Sequence, residues 1–318
     1  KKIELTMYYP VNVGGPITKV VQKLADDFTK ENPNIIIKPV YTGNYDDTMI
    51  KIQTAVNSKT PPDLAVALST ELYTFLDMNS IEPLDSFIAK DGGKDYINNF
   101  FTPFMGNSKA AGKIWSIPFQ RSTVVLYYNK DMFKSAGLDP DNPPKTWDDL
   151  ISDSQKLTVK DQNGQVKQWG IELPTTVSHY WIYQALALQN GKNIMSSDGK
   201  KVYFDTKSSI NALQNWADLS QKYNVMPKGI LDWNTVPSDF IKGKTAMMYH
   251  TTGNLTNVKN NANFKFGVAF LPAQNKYGTP TGGGNLYMFK NISNEKKQAA
   301  WKFIKWVTAP ERAAQWSI

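Results

Sequence analysis

The sequence has 318 residues, of which 41% are hydrophobic and 12% aromatic, and it carries a net charge of +8 with no cysteine. This composition predicts a globular chain of two domains and excludes a disordered one. The missing cysteine excludes disulfides, thiolate metal sites and a cysteine nucleophile, and it permits export. Because the lysines are scattered along the chain, no basic stripe for nucleic acid is predicted.

The first part of the chain predicts a parallel α/β sheet. Alternation over residues 2–9 indicates a strand, an amphipathic helix follows over 17–32, and a second strand covers 35–41. A helix over 45–58 and a fully apolar strand over 64–68 continue the pattern. Ser69 directly follows that strand, at the end where open α/β sheets bind ligands, so it is a candidate ligand contact. Its alternative role is a helix N-cap.

The central stretch, residues 117–137, predicts two strands over 117–119 and 124–128 joined by a polar link over 120–123. A short helix follows and ends at Gly137, in the position of a C-cap. This order indicates a chain that leaves one compact body and enters another, where a polar joint favours a ligand cleft. A surface hairpin within one domain is the alternative.

The second half repeats this style. Residues 146–149 resemble a capping box that starts a helix ending near residue 157. Further strands are predicted over 169–173, 203–205, 245–250, 266–271 and 286–289. Further helices are predicted over 178–189, 206–223, 236–242 and 294–308. Residues 251–254 form a polar link, and residues 281–285 form a glycine-rich loop.

Catalytic motifs are not evident. His179 and His250 lie far apart without metal-ligand spacing, and each is interpreted as a structural or ligand-contacting residue. Residues 243–245 resemble the end of a phosphate-binding loop, but Ser238 stands where that motif requires glycine. We therefore predict no enzyme, metal or cofactor, and keep a cleft-containing hydrolase as the alternative of another class.

Several stretches carry a resemblance to one family. They are FTKENPN at 28–34, PDL at 62–64, LYYNKD at 126–131, PPKTWDDL at 143–150 and FIKGKTAM at 240–247. The chain resembles an extracytoplasmic solute-binding protein of an ABC importer, of the carbohydrate or maltose-binding type. It is most similar to the glycerol-3-phosphate and glycerophosphodiester binders, through residues 43–45, 122–123, 126–131 and 136–140.

The resemblance implies two α/β lobes, each with a mostly parallel sheet flanked by helices, closing on solute about a hinge. Lobe one would hold residues 1–118 and 265–318, and lobe two 119–264, without the family's usual C-terminal part of lobe two. It also implies a monomeric receptor that works with membrane permease subunits. The implied location is extracytoplasmic, as a periplasmic or lipoprotein form with the signal removed.

The resemblance also implies the binding residues and the solute. Tyr45, Ser122, Trp181, Thr251 and Gly283 match ligand-contacting positions. Ser69 and Ser178 stand where the glycerol-phosphate binder has a glutamate and a second tryptophan, which leaves the solute open between a glycerol phosphate compound and a neutral sugar or oligosaccharide.

Arg121 raises a separate question. A guanidinium can hold a phosphate, but neighbours on an extended chain face opposite sides, so Arg121 points away if Ser122 contacts the ligand. The full predicted ligand-binding set is Tyr45, Ser69, Arg121, Ser122, His179, Trp181, Thr251, Thr252, Gly283 and Asn285.

Overall fold

The structure, a computed structural model, describes residues 2–176 and 179–317 and divides into two compact units. Unit 1 comprises Lys1–Arg121 and Thr281–Ile318, and unit 2 comprises Ser122–Pro280. The predicted boundaries differ, since residues 265–280 belong to unit 2 and residues 119–121 to unit 1. The reason is local: the strand that begins at Phe266 pairs with Asn129 and its neighbours, and the carbonyl oxygen of Pro280 accepts a hydrogen bond from Trp181.

The described residues form strands and helices in the predicted alternating style. The strands are β1 (Ile3–Tyr9), β2 (Ile35–Tyr41), β3 (Leu64–Leu68), β4 (Lys109–Ala110), β5 (Lys113–Ile114), β6 (Ser116–Asn129), β7 (Val159–Lys160), β8 (Val166–Gln168), β9 (Met247–Thr251), β10 (Phe266–Ala269) and β11 (Thr281–Met288). The helices are α1 (Ile17–Glu31), α2 (Tyr45–Asn57), α3 (Leu72–Asp77), α4 (Asp85–Lys90), α5 (Lys94–Asn98), α6 (Thr102–Met105), α7 (Lys130–Ser135), α8 (Trp147–Leu157), α9 (His179–Gln189), α10 (Lys207–Gln221), α11 (Thr235–Ile241), α12 (Leu255–Asn261), α13 (Asn294–Val307) and α14 (Pro310–Ser317).

Unit 1 is built on a mixed sheet. Strand β1 lies parallel to both β2 and β3, as predicted, and β11 then pairs antiparallel with β3. The apolar face of α1, including Leu24 and Phe28, packs against the inward side chains of β1. A second buried cluster around Phe75, Tyr287 and Phe289 covers other residues of the same sheet. Both faces of β3 are therefore buried, which explains its unbroken apolar sequence.

Unit 2 is organised around the second half of β6. Its residues pair antiparallel with β9 on one side and with β10 on the other. The run Val124–Tyr128 is fully buried between them, next to Phe240 of α11 and the tryptophan and leucine side chains of α9 and α10. The capping box predicted at Thr146 is confirmed: its side chain accepts from the Asp149 backbone N–H, and the Asp149 side chain accepts in return.

Four predictions about local structure are wrong. Residues 116–129 form one continuous strand, so the polar link over 120–123 is not a loop, because both edges of β6 find strand partners. The glycine-rich stretch from Thr281 belongs to β11, since its backbone pairs with β3 from Gly284 onward. Residues 169–173 make only isolated bridges, and residues 203–205 form no strand.

Among the described residues, no helix is both long enough and apolar enough to cross a membrane.

Candidate functional site

Arg121 is the centre of a polar cluster in unit 1. Its Nη1 donates to the carbonyl oxygen of Gly283 (3.5 Å) and to Asn285 Oδ1 (3.3 Å). Its Nη2 donates to Thr281 Oγ1 (2.8 Å) and to Asn107 Oδ1 (3.3 Å). The Arg121 side chain thereby links β6 to β11 and to the turn that follows α6.

The hydrogen bonds described for this guanidinium include no negatively charged acceptor. All four oxygens that accept from Arg121 are neutral, and its Nε is buried without a partner. Its Cζ atom lies 5.6 Å from the centroid of the Phe104 ring. Burial accordingly lowers the pKa of Arg121 below its usual value. Since both terminal nitrogens already donate to two oxygens each, the cluster leaves them no further hydrogen for a ligand.

Asn285 extends this cluster into the core. Its side chain is fully buried, and Nδ2 donates to Ser108 Oγ (3.1 Å) and Ser116 Oγ (2.9 Å) while Oδ1 accepts from Arg121. Every polar atom of the amide is therefore satisfied inside unit 1. Asn107, Ser108 and Ser116 were not predicted, because a single small polar residue outside a motif does not indicate a site.

Tyr45 and Gly283 both approach Gln120. Tyr45 is the first residue of α2, which Asn44 caps, and its Oη donates to Gln120 Oε1 at 3.0 Å. Gly283 has φ +100°, and a Cβ atom built there would overlap the backbone oxygen of Gln120. A Cβ atom built at the next residue, Gly284, would lie only 3.1 Å from the Tyr45 hydroxyl oxygen. Two predicted site residues thus meet at the same point of β6.

Ser69 lies at the carboxyl end of β3, as predicted, and is buried. Tyr287 Oη donates to the carbonyl oxygens of Leu68 (3.2 Å) and Ser69 (3.4 Å), which fixes this strand end. The N-cap alternative is wrong: Ser69 is the first residue of a short 3₁₀ turn whose N-cap is Leu68, and no side chain caps it.

Unit 2 places three predicted hydroxyl residues together. Thr251 ends β9 opposite Val124, and its Oγ1 accepts from the Gly253 N–H at 3.1 Å. Thr252 Oγ1 accepts from the backbone N–H of Thr123 (3.3 Å), the residue after Ser122. Tyr127 Oη donates to the Thr251 carbonyl oxygen (2.8 Å) from below this strand end. Ser122, Thr251 and Thr252 are therefore neighbours across the β6–β9 pair.

Trp181 belongs to an aromatic stack in unit 2. Its ring is 6.5 Å from Trp233 and nearly parallel to it, and Nε1 donates to the Pro280 carbonyl oxygen at 2.9 Å. The His250 ring lies 4.1 Å from Trp233, and its Nε2–H donates to the Trp233 carbonyl oxygen (3.0 Å). Burial lowers the pKa of His250 to about 4, so the ring is neutral at pH 7. Trp233 was not predicted, because a lone aromatic cannot be told from core.

His179 is the first residue of α9, two positions before Trp181. Ser178, predicted to replace a tryptophan, lies outside the described residues. Within the described ranges, no three His, Asp or Glu side chains are grouped so that they could hold a metal ion.

Comparison with known proteins gives one family. Residues 23–318 match the model for bacterial extracellular solute-binding proteins. The sn-glycerol-3-phosphate-binding periplasmic protein UgpB of Yersinia pseudotuberculosis is 30% identical over 311 residues, covering 95% of this chain and 70% of that protein.

Solved structures agree on the fold. The ABC substrate-binding protein Lmo0181 of Listeria monocytogenes, in complex with cycloalternan, has a TM-score of 0.83 and 25% identity, covering 99% of this chain and 79% of that one. UgpB of Mycobacterium tuberculosis, in complex with glycerophosphocholine, has a TM-score of 0.84 and 22% identity, covering 100% of this chain and 77% of that one. The predicted α/β binding-protein fold is confirmed.

The matched family and the similar proteins named above are binding proteins. The family implies a small-molecule ligand, permease subunits of an ABC importer as partners, and an extracytoplasmic location. The match covers more than nine-tenths of the chain and agrees with the fold, so the chain belongs to the family of bacterial extracellular solute-binding proteins.

Proposed function

We propose that the protein is the receptor of an ABC import system and captures a small solute rich in hydroxyl groups. The proposal rests on the chemistry of the predicted positions. In each unit they include neutral polar groups and an aromatic side chain. Unit 1 offers Tyr45 and Gly283, which both approach Gln120. Unit 2 offers Thr251, whose neighbour His250 contacts Trp233 in the stack with Trp181. Hydroxyls and backbone groups suit the polar edges of such a solute, and aromatic rings suit its C–H face.

The first candidate ligand is glycerol 3-phosphate or a glycerophosphodiester. It is supported by the relatives of 28–30% identity that are named for glycerol 3-phosphate. The residues proposed to contact it are Tyr45, Ser69, Ser122, His179, Trp181, Thr251, Thr252 and Gly283. Asn285 acts through its hydrogen bonds inside unit 1, since its amide is fully buried and satisfied.

A neutral sugar or oligosaccharide is the second candidate, and one observation favours it. A cationic donor strengthens phosphate binding, yet the terminal nitrogens of Arg121 are engaged and His250 is neutral at pH 7. Hydroxyl and amide groups alone suffice for a sugar. In either case we propose a monomer, periplasmic or lipid-anchored in its mature form.

A ligand screen tests this function directly. Thermal unfolding is followed with glycerol 3-phosphate, glycerophosphocholine, maltose and mannobiose, and calorimetry then gives each dissociation constant. A cognate solute at 100 times its dissociation constant should stabilise the protein by about 2.7 kcal/mol by mass action. Each solute is recovered afterwards and is expected unchanged. Release of a cleavage product would instead support a hydrolase, and no shift with any solute would contradict the receptor role for these ligands.

Trp181 offers a sharper test of the unit 2 residues. Trp181→Ala removes the ring and should weaken binding of the cognate solute by at least about tenfold, as expected for a buried aromatic contact. Trp181→Phe keeps a ring but loses the hydrogen bond to the Pro280 carbonyl oxygen, so a smaller loss is expected. Calorimetry at one pH measures both.

The matched control is Trp216→Phe in α10 of the same unit. Trp216 is as buried as Trp181, and its Nε1 has no hydrogen-bond partner in the structure, so the change removes no such bond. Its affinity should equal that of the unmodified protein. If both Trp181 variants also bind normally, Trp181 is a core residue and not a ligand contact.

A further inference from the structure

Arg121 stands where the chain leaves unit 1. Unit 1 ends its first segment at Arg121, and its second segment begins at Thr281. The guanidinium Nη2 donates to Thr281 Oγ1 at 2.8 Å, the shortest of its hydrogen bonds. The Arg121 side chain therefore joins the residue at which the chain leaves unit 1 to the residue at which it returns, and both residues belong to unit 1.

The same guanidinium is held from several sides. Gly283 and Asn285 bind it from the returning strand, Asn107 binds it from the turn after α6, and the Phe104 ring packs against it. A guanidinium is planar and rigid, so these contacts fix the relative position of all three chain segments. A lysine has the charge but not the planar fork, and it cannot reproduce this set of bonds.

The saturated hydrogen bonding argues for a mechanical role. Two nitrogens each donate to two oxygens, and the third nitrogen is buried away from solvent. Such a group has little left to offer a ligand, but its loss would free Thr281, Asn285 and Asn107 together. The only other arginine, Arg312, binds Glu31 at 2.8 Å and lies over Trp306, so it takes no part here.

We propose that Arg121 is a positioning residue. Its hydrogen bonds to Thr281, Gly283, Asn285 and Asn107, called the lock below, hold both connecting segments in a fixed position on unit 1 when the protein captures solute. The capture step rests on the proposed function, whereas the lock itself does not. The backbone would then bend at residues outside these hydrogen bonds, near Ser122 and Pro280. Weakening the lock should loosen the start of β11 even without solute.

Hydrogen exchange of the solute-free protein tests the lock. In Arg121→Gln and Arg121→Lys, the backbone amides of residues 281–285 and 120–123 should exchange about tenfold faster or more, because local opening becomes easier. Arg312→Gln is the matched control and should leave these amides unchanged. Thr281→Val removes one acceptor only and should give a smaller increase in the same peptides, which keeps the test usable if the Arg121 variants fold poorly.

A second measurement separates the lock from an anion site. With a solute that the unmodified protein binds, Arg121→Lys should lose affinity by about tenfold, equivalent to 1.4 kcal/mol, whether that solute is phosphorylated or neutral. Rescue of a phosphorylated ligand by lysine would overturn the proposal and assign Arg121 to anion binding. Unchanged exchange in the Arg121 variants would overturn it as well. If no solute binds, the proposed function fails, and the exchange result still decides on the lock.

Discussion

Gly283→Ala should destabilise unit 1 severely. Gly283 has φ +100°, which an L residue adopts only with strain of about 1–3 kcal/mol. The added Cβ would also overlap the Gln120 carbonyl oxygen, which is backbone and cannot move aside as a side chain can. Forcing such a contact costs roughly another 1–3 kcal/mol, so we expect a total near 4 kcal/mol, measured by urea unfolding.

A second glycine of unit 1 provides the control. Gly106 has φ −56°, and a Cβ built there has no neighbour within 4 Å. Gly106→Ala should therefore keep or slightly raise stability, by up to about 1 kcal/mol. If Gly283→Ala unfolds like the unmodified protein but no longer binds solute, the steric argument is wrong and Gly283 acts only as a ligand contact.

Local patterns predicted most of the framework. The strand alternation of β1, the apolar face of α1 and the capping box at Thr146 are each decided by neighbours in sequence, so they were recognisable without the fold. The order of these elements also predicted a parallel sheet, which the pairing of β1 with β2 and β3 confirms. Such features depend on few long-range contacts.

The polar stretches could not be predicted in the same way. Residues 120–123 and 281–285 look like loops because glycine and polar side chains are rare in strands. Both stretches nevertheless belong to strands, since β6 and β11 have strand neighbours brought from distant parts of the chain. The hydrogen bonds of Arg121 to Asn107 and Thr281 likewise join residues far apart in sequence. No short motif encodes such a cluster.

Glu172 is a buried carboxyl that the ligand proposal does not use. It lies in unit 2 with only 1% of its surface exposed, and its Oε2 has no hydrogen-bond partner in the structure. Burial, with a smaller contribution from Asp239, raises its pKa to about 8, while Lys244 acts in the opposite direction. Lys244 is itself paired with Asp239 at 2.9 Å, which limits its help to Glu172.

This pKa makes the stability of unit 2 depend on pH. The folded state keeps the Glu172 proton up to pH of about 8, whereas the unfolded chain releases it near 4.5. The contribution of the Glu172 proton to the free energy of unfolding is therefore complete below pH 4.5 and is lost as the pH rises from 4.5 to 8. The shift corresponds to a loss of about 5 kcal/mol across this window. Buried His250 titrates with a lowered pKa and acts on the acid side, where stability falls as the pH drops from about 6.5 to 4.

Glu172→Gln should abolish the alkaline loss, because glutamine keeps the size of the side chain and carries no charge at any pH. We expect the variant to match the unmodified protein within about 1 kcal/mol at pH 4.5 and to exceed it by up to about 5 kcal/mol at pH 8.5. Urea unfolding at both pH values measures the difference, in which the His250 contribution cancels. Glu82→Gln is the control, since Glu82 is paired with Lys297 at 2.9 Å and should lose rather than gain stability at pH 8.5. A Glu172→Gln difference that stays constant with pH would mean that Glu172 is already ionised in the folded protein, held by Lys244.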